Sequence, residues 1–198
     1  AINNSLYRNL NYDAAKDLEP VCYIASITNV LIVPADSPLK NVGDLIAAAK
    51  AAPGKLTFAS SGAGSSTHMS AELFKSMAGI DLLHVPYKGS GQALPDLITG
   101  RVSMMFENMP GAVSYIQSGK LNVLAVTGLK RTPALPDVKT VAESGVAGYE
   151  SLSWSGIAVP SGTPRDVIAR LNREINAILA TPEMRQKLTE QGAEAMGD

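Results

Sequence analysis

The sequence predicts an α/β fold, with one complete lobe on a mostly parallel sheet and part of a second lobe around it. Two observations predict this. In the middle of the chain, strand-like and helix-like patterns alternate with little between them, and most of the helical stretches stop at a glycine. The two flanks lack that alternation and read as pieces of another domain that the chain visits, leaves and revisits. Strands alternating with helices of about ten residues imply right-handed crossovers, and sheets built this way place ligands at the carboxyl ends of their strands.

The elements follow in order. Val30–Val33 is a short apolar strand. Asn41 can cap a helix whose apolar positions are Val42, Leu45, Ile46 and Ala49, and Pro53-Gly54 end it. Leu56–Ala59 is a buried strand. Met69, Leu73, Phe74 and Met77 recur at helical spacing up to Gly79. Leu82–Val85 is the next strand, and Leu94, Leu97 and Ile98 mark a helix closed by Gly100. Val102–Phe106, a short helix through Val113 and Ile116 to Gly119, and the strand Leu121–Val126 complete the unit.

Residues 129–150, with Pro133, Pro136, Gly145 and Gly148, read as an irregular connection holding a short helix near Val141. Ser153–Val159 returns to strand. Thr163-Pro164 and Thr181-Pro182 are helix starts, the first followed by an apolar stripe of Ile168, Leu171, Ile175, Ile178 and Leu179; Gly192 closes the second helix. The start of the chain is polar, with no strand before Val21.

The 198 residues suffice for a real core. With 17 basic and 18 acidic side chains the formal charge is −1, which leaves no basic excess for a nucleic-acid partner. No apolar run reaches the roughly 18 residues of a membrane helix, so no direct membrane insertion is expected. One cysteine, Cys22, excludes an internal disulfide framework, and two histidines make a metal site hard to build. No cofactor is expected. The Walker pattern fails for want of a lysine, and the dinucleotide fingerprint fails at Thr67 and at the position of Asp81.

Three strand-to-helix turns carry candidate chemistry. Ser60-Ser61-Gly62-Ala63-Gly64-Ser65-Ser66-Thr67-His68 combines small residues with hydroxyls at a helix start. Small residues let backbone N–H groups approach a ligand, and the helix terminus adds partial positive charge, so an anion can be held without a basic side chain. An ordinary capped turn is the bland alternative. His84-Val85-Pro86-Tyr87-Lys88-Gly89 offers an aromatic wall at Tyr87, a charge at Lys88 and a flexible backbone at Gly89. The third turn holds Asn108, able to bond a ligand or brace the first turn, with Glu107 as a helix cap or a repelling charge. His68 reads as a helix-start or packing residue, since Ser66 and His68 do not share a helix face. Paired carboxylates are absent from these turns, no Gly-x-Ser-x-Gly elbow is present, and no enzyme activity is expected. Trp154, the only tryptophan, reads as core, with a hinge or pocket wall as the alternative.

The order of these motifs resembles the Bug/TctC family, the extracytoplasmic solute receptors of tripartite tricarboxylate transporters. The matching stretches are Ala1–Tyr7 with Tyr12-Asp13, Phe58–His68, His84–Gly89, Arg101–Asn108, Leu121–Thr127 and Trp154–Pro164. The resemblance implies a periplasmic-binding-protein-like (Venus flytrap) fold, two lobes joined by crossing strands with a cleft between them. Residues 29–151 would form one lobe, with 1–28 and 152–198 belonging to the other. It implies a periplasmic address, a small organic carboxylate as ligand, and the membrane permease subunits of the transporter as partners. The carboxylate-binding turn maps onto Ser60–Thr67. It also implies that the chain is a fragment, because family members carry a further strand and Pro/Gly-rich turn ahead of the point matching Ala1 and continue past Asp198. The rival expectations are an effector-binding domain of a regulator and an α/β enzyme using Ser66 or Lys88.

Overall fold

The structure is a computed structural model that describes residues 3–197. The first two residues of the opening motif, Ala1 and Ile2, and the last residue, Asp198, lie outside the described residues. In chain order the elements are α1 (Asn3–Leu6), β1 (Leu18–Pro34), α2 (Val42–Ala51), β2 (Thr57–Ser60), α3 (Ser66–Ala78), β3 (Leu83–Pro86), α4 (Ser90–Ile98), β4 (Met104–Asn108), α5 (Met109–Gln117), β5 (Leu121–Val126), β6 (Leu152–Pro160), α6 (Arg165–Leu179), α7 (Pro182–Glu190) and β7 (Ala193–Ala195). The chain divides into two compact units, Thr28–Ser153 and the segments on either side of it.

In the Thr28–Ser153 unit the strand order is β3-β2-β4-β1-β5. β2 pairs in parallel with β3 and with β4, as crossover helices require. The second half of β1 enters between β4 and β5 and runs antiparallel to both. Alternation along this central strand feeds two cores, one on each face. Leu31 and Val33 join Phe58, Phe74, Phe106 and Tyr149 beneath α2 and α3. Val30 and Ile32 join Ala59, Leu97, Met105 and Val126 beneath α4 and α5. Local chemistry starts the helices. Asn41 Oδ1 accepts the Asp44 N–H at 2.9 Å to cap α2, and the Ser65 hydroxyl accepts the His68 N–H at 3.3 Å to cap α3.

The helix expected near Val141 is a single turn. Thr140 and Glu143 exchange backbone-to-side-chain bonds of 2.7 and 3.0 Å in the manner of a capping box, but Gly145 at φ 108° leads the chain out.

The flanking unit is built on the first half of β1, which β6 and β7 both join. β7 pairs antiparallel with it, Ala25 opposite Ala195. Asn172 of α6 donates its amide to the Val21 carbonyl at 2.8 Å. An apolar concavity of about 700 Å³ in this unit is lined by Cys22, Tyr23, Trp154 and Ile157. Trp154 is 65% exposed and meets Tyr23 edge-on, so it is not core.

Candidate functional site

β2, β3 and β4 are mutually parallel, so the three turns that follow them gather at one edge of the sheet. The backbone joins the first two: the Tyr87 N–H donates to the Ser60 carbonyl at 3.0 Å, and Gly62 lies against the Tyr87 carbonyl. The third joins through side chains, the Ser66 hydroxyl donating to Asn108 Oδ1 at 3.3 Å.

Within the first turn most polar groups serve the turn itself. Thr67 is fully buried; its Oγ1 accepts the Ser61 N–H at 2.9 Å and lies 3.1 Å from Ser61 Oγ and 2.9 Å from Ser65 Oγ. The Ser65 hydroxyl donates to the Gly62 carbonyl at 2.6 Å. Ser60, also fully buried, accepts the Gly62 N–H at 3.3 Å and pairs with His84 Nε2 at 2.7 Å. The Gly64 N–H donates to His68 Nδ1 at 3.1 Å. Three backbone donors are left over: among the described residues no acceptor is found for the N–H groups of Ala63, Ser66 and Thr67. Two of them are the opening amides of α3, where the helix dipole is positive.

The remaining candidates divide by role. The Tyr87 hydroxyl donates to Asp96 of α4 at 2.9 Å, and Asp96 also holds Arg101, also at 2.9 Å. The hydrogen bond from the Tyr87 hydroxyl, and then that from Arg101 with its charge, keep the Asp96 carboxyl below its usual pKa. The Tyr87 hydroxyl is therefore already engaged. Lys88 is exposed and has no ion pair among the described residues. Gly89 is the N-cap of α4, and Asn108 the N-cap of α5, whose side chain bonds Ser66 and not its own helix.

Three further residues matter here: Glu107, expected as a helix cap or a repelling charge, and Asn29 and His84, for which the sequence predicts no site role. Glu107 is 2% exposed and accepts the Ser90 hydroxyl at 2.7 Å and the Asn108 N–H. Burial outweighs those bonds and raises its pKa. The glycine at 111 leaves room for it, since a Cβ there would stand 2.9 Å from Glu107 Oε1. Asn29, fully buried and opposite Asn108 in the ladder, donates to Ser70 Oγ at 2.9 Å, while Ser70 Oγ reaches Ser151 Oγ at 2.8 Å. Asn29 Oδ1 has no partner. His84 is a partly buried residue of β3 and bonds the turn directly through Ser60. Its burial, with a smaller push from His68, lowers its pKa.

Ser60 and His84 have the spacing of a nucleophile and its base. Ser60 has no exposed surface, however, and Ser66, the serine at the helix start, pairs with an amide and not with a base. Among the described residues no group of three or more His, Cys, Asp or Glu side chains could hold a metal ion, and no helix is long and apolar enough to cross a membrane.

The family profile described as the tripartite tricarboxylate transporter family receptor, TctC, matches residues 1–197. The chain is 41% identical over 197 residues to the UPF0065 protein in the tcbD-tcbE intergenic region of Pseudomonas sp. strain P51, covering 99% of this chain and 59% of that protein. Its structure is similar to that of R. palustris Rpa4515 with adipate, at 42% identity and a TM-score of 0.93, over 97% of this chain and 64% of the other. It is also similar to MatC (Rpa3494) from Rhodopseudomonas palustris with bound malate, at 29% identity and a TM-score of 0.87, over 97% and 65% of the two chains. The chain thus spans about three-fifths of the length of the relatives it matches.

Proposed function

The chain belongs to the tripartite tricarboxylate transporter receptor family, and from that premise we propose that it is the carboxylate-holding part of an extracytoplasmic solute receptor. The ligand is a small organic carboxylate, and no covalent step occurs. The observation that carries this reading is the set of unpaired N–H groups at Ala63, Ser66 and Thr67, in a turn whose remaining hydrogen-bonding groups are largely committed to its own shape. A carboxylate oxygen accepting two or three such donors is held by charge-assisted bonds of about 1.5–3 kcal/mol each. A few of these support micromolar affinity after association costs.

In this reading Ser61, Gly62, Gly64, Ser65, Ser66 and Thr67 form the cradle, and Ser60 anchors it from below. Tyr87, Lys88 and Gly89 form the adjoining wall, with Lys88 the one full positive charge among the candidate residues. Asn108 closes the third side. The solved relatives with adipate and with malate support a carboxylate as ligand. The periplasmic address and delivery to membrane permease subunits follow from the family assignment and are part of the proposal. So is the absence of catalysis, which the burial of Ser60 supports.

Calorimetry on the whole protein with a panel of mono-, di- and tricarboxylates, adipate and malate included, tests the reading. Binding of at least one, weakened at least about tenfold by Ser61→Ala with Thr67→Ala, is expected. Silence across the panel, or binding indifferent to the double substitution, would overturn it.

A further inference from the structure

Phe58, His84 and His68 form a stack of rings beside the Ser60–Thr67 turn. Phe58 and His84 are 4.7 Å apart at 13°, and His84 and His68 are 4.1 Å apart at 18°. The β2–β3 register sets Phe58 opposite His84, and the first turn of α3 supplies His68. Each imidazole holds the turn at a different point. His84 Nε2 bonds Ser60 Oγ, which itself accepts the Gly62 N–H. His68 Nδ1 accepts the Gly64 N–H. The amides on both sides of Ala63 are therefore pinned, one directly by a histidine and one through Ser60.

A ring nitrogen accepts a hydrogen bond only when it carries no proton. The Gly64 bond therefore fixes His68 as the neutral tautomer with its proton on Nε2, 3.7 Å from Glu72 Oε1. A second proton must go to Nδ1, where it would point at the Gly64 N–H. The groups facing the pair pull in different directions. From α3, Glu72 favours a charged ring. Lys75, which sits 3.1 Å from Glu72 and 5.5 Å over the Phe58 ring, opposes it. From β3, His84 stacks on His68, so one charged ring disfavours the other. Burial and then His68 keep His84 on the neutral side.

We infer that His68 and His84 are positioning residues that hold the carboxylate turn in its binding shape only while His68 Nδ1 is unprotonated, making ligand capture sensitive to acid. Protonation of Nδ1 breaks the Gly64 bond and frees the segment that carries the Ala63 donor. The brace is a property of the turn alone; its effect on affinity rests on the carboxylate reading above.

The test begins without ligand. In the ¹⁵N-labelled whole protein, the pH is lowered stepwise from about 8 until the His68 ring nitrogens report the second proton. The Gly64 amide resonance is expected to move with the His68 ring nitrogens. His68→Asn sets an amide oxygen where Nδ1 stands and cannot titrate, so Gly64 should hold its neutral-pH position throughout. A Gly64 resonance that stays still while His68 titrates, or a His68→Asn protein that keeps the wild-type profile, overturns the brace. Calorimetry with adipate then reads the functional half. Affinity is expected to fall over the same pH interval in which the His68 ring takes up its second proton in the wild type, and to stay flat in His68→Asn. Flat affinity in the wild type refutes the link to capture. If adipate and malate bind at no pH while Gly64 still tracks His68, the carboxylate reading fails and the brace stands.

Discussion

Thr67 Oγ1 accepts the Ser61 N–H at 2.9 Å, closing the glycine-rich turn from inside the protein, where Thr67 has no exposed surface. A threonine that sequence reading would offer to a ligand spends its hydroxyl on the turn, and its free contribution is its N–H. Thr67→Val keeps the shape and removes the acceptor. The expected loss is about 1–2 kcal/mol in urea denaturation, with weaker carboxylate binding, and Thr67→Ser should recover most of both. Equal stability of the valine variant would show the bond to be idle.

Glu107 gives a pH signature. Burial raises its pKa above the usual 4.5, so between those two values the folded chain binds a proton that the unfolded chain has lost. Stability contributed by this group is present at low pH and declines as pH rises through that window. Glu107→Gln should abolish the decline and leave the protein as stable or more stable at pH 7, by about 1 kcal/mol. Glu107→Ala should instead cost about 2–3 kcal/mol, since Ser90 Oγ and the Asn108 N–H lose their acceptor. Chemical denaturation across pH 4–8 separates the two outcomes.

Asn29 is a position where charge should be poorly tolerated. Its Oδ1 is buried without a partner and its Nδ2 has Ser70. Asn29→Asp places an uncompensated carboxylate there and should destabilise by on the order of 3 kcal/mol at pH 8. Because burial would raise the pKa of the new carboxyl, stability should return as pH falls. The same denaturation midpoint at pH 8 and pH 5 would contradict this.

Trp154 makes the flanking unit visible to fluorescence. At 65% exposure, its emission should be red-shifted and readily quenched by acrylamide, and Trp154→Ala should cost under about 1 kcal/mol. A blue-shifted, quencher-resistant emission would place the ring in a core.

Local signals carried much of the fold. Asn41 and Ser65 cap helices where their chemistry says they should, and the glycine after Ala78 ends α3 with φ 62°. β1 was harder to read. Ser26, Thr28 and Asn29 interrupt its apolar pattern, yet the strand runs unbroken from Leu18 to Pro34 because it serves one sheet and then another. Its antiparallel place between β4 and β5 has no local trace, since it depends on pairings far along the chain. The three turns were legible as one edge from the strand–helix alternation. Their internal bonding was not: the His84–Ser60 contact comes from the β2–β3 register, and the Asn29–Ser70 contact from the packing of α3 on β1. Glu107 is legible in the sequence as a cap or a repelling charge; its burial has a trace in Gly111, the small residue that makes room for it.

The central placement of β1 has a cost in time. Asn29 meets Thr127, its hydrogen-bond partner across the sheet, only after 98 further residues of chain, and its ladder with β4 is nearly as remote. The middle of the sheet is synthesised first and completed last, so refolding should be slow for a domain this size. During that delay the Val30–Val33 segment is an unpaired apolar ribbon, the part of the nascent chain most in need of a chaperone's protection.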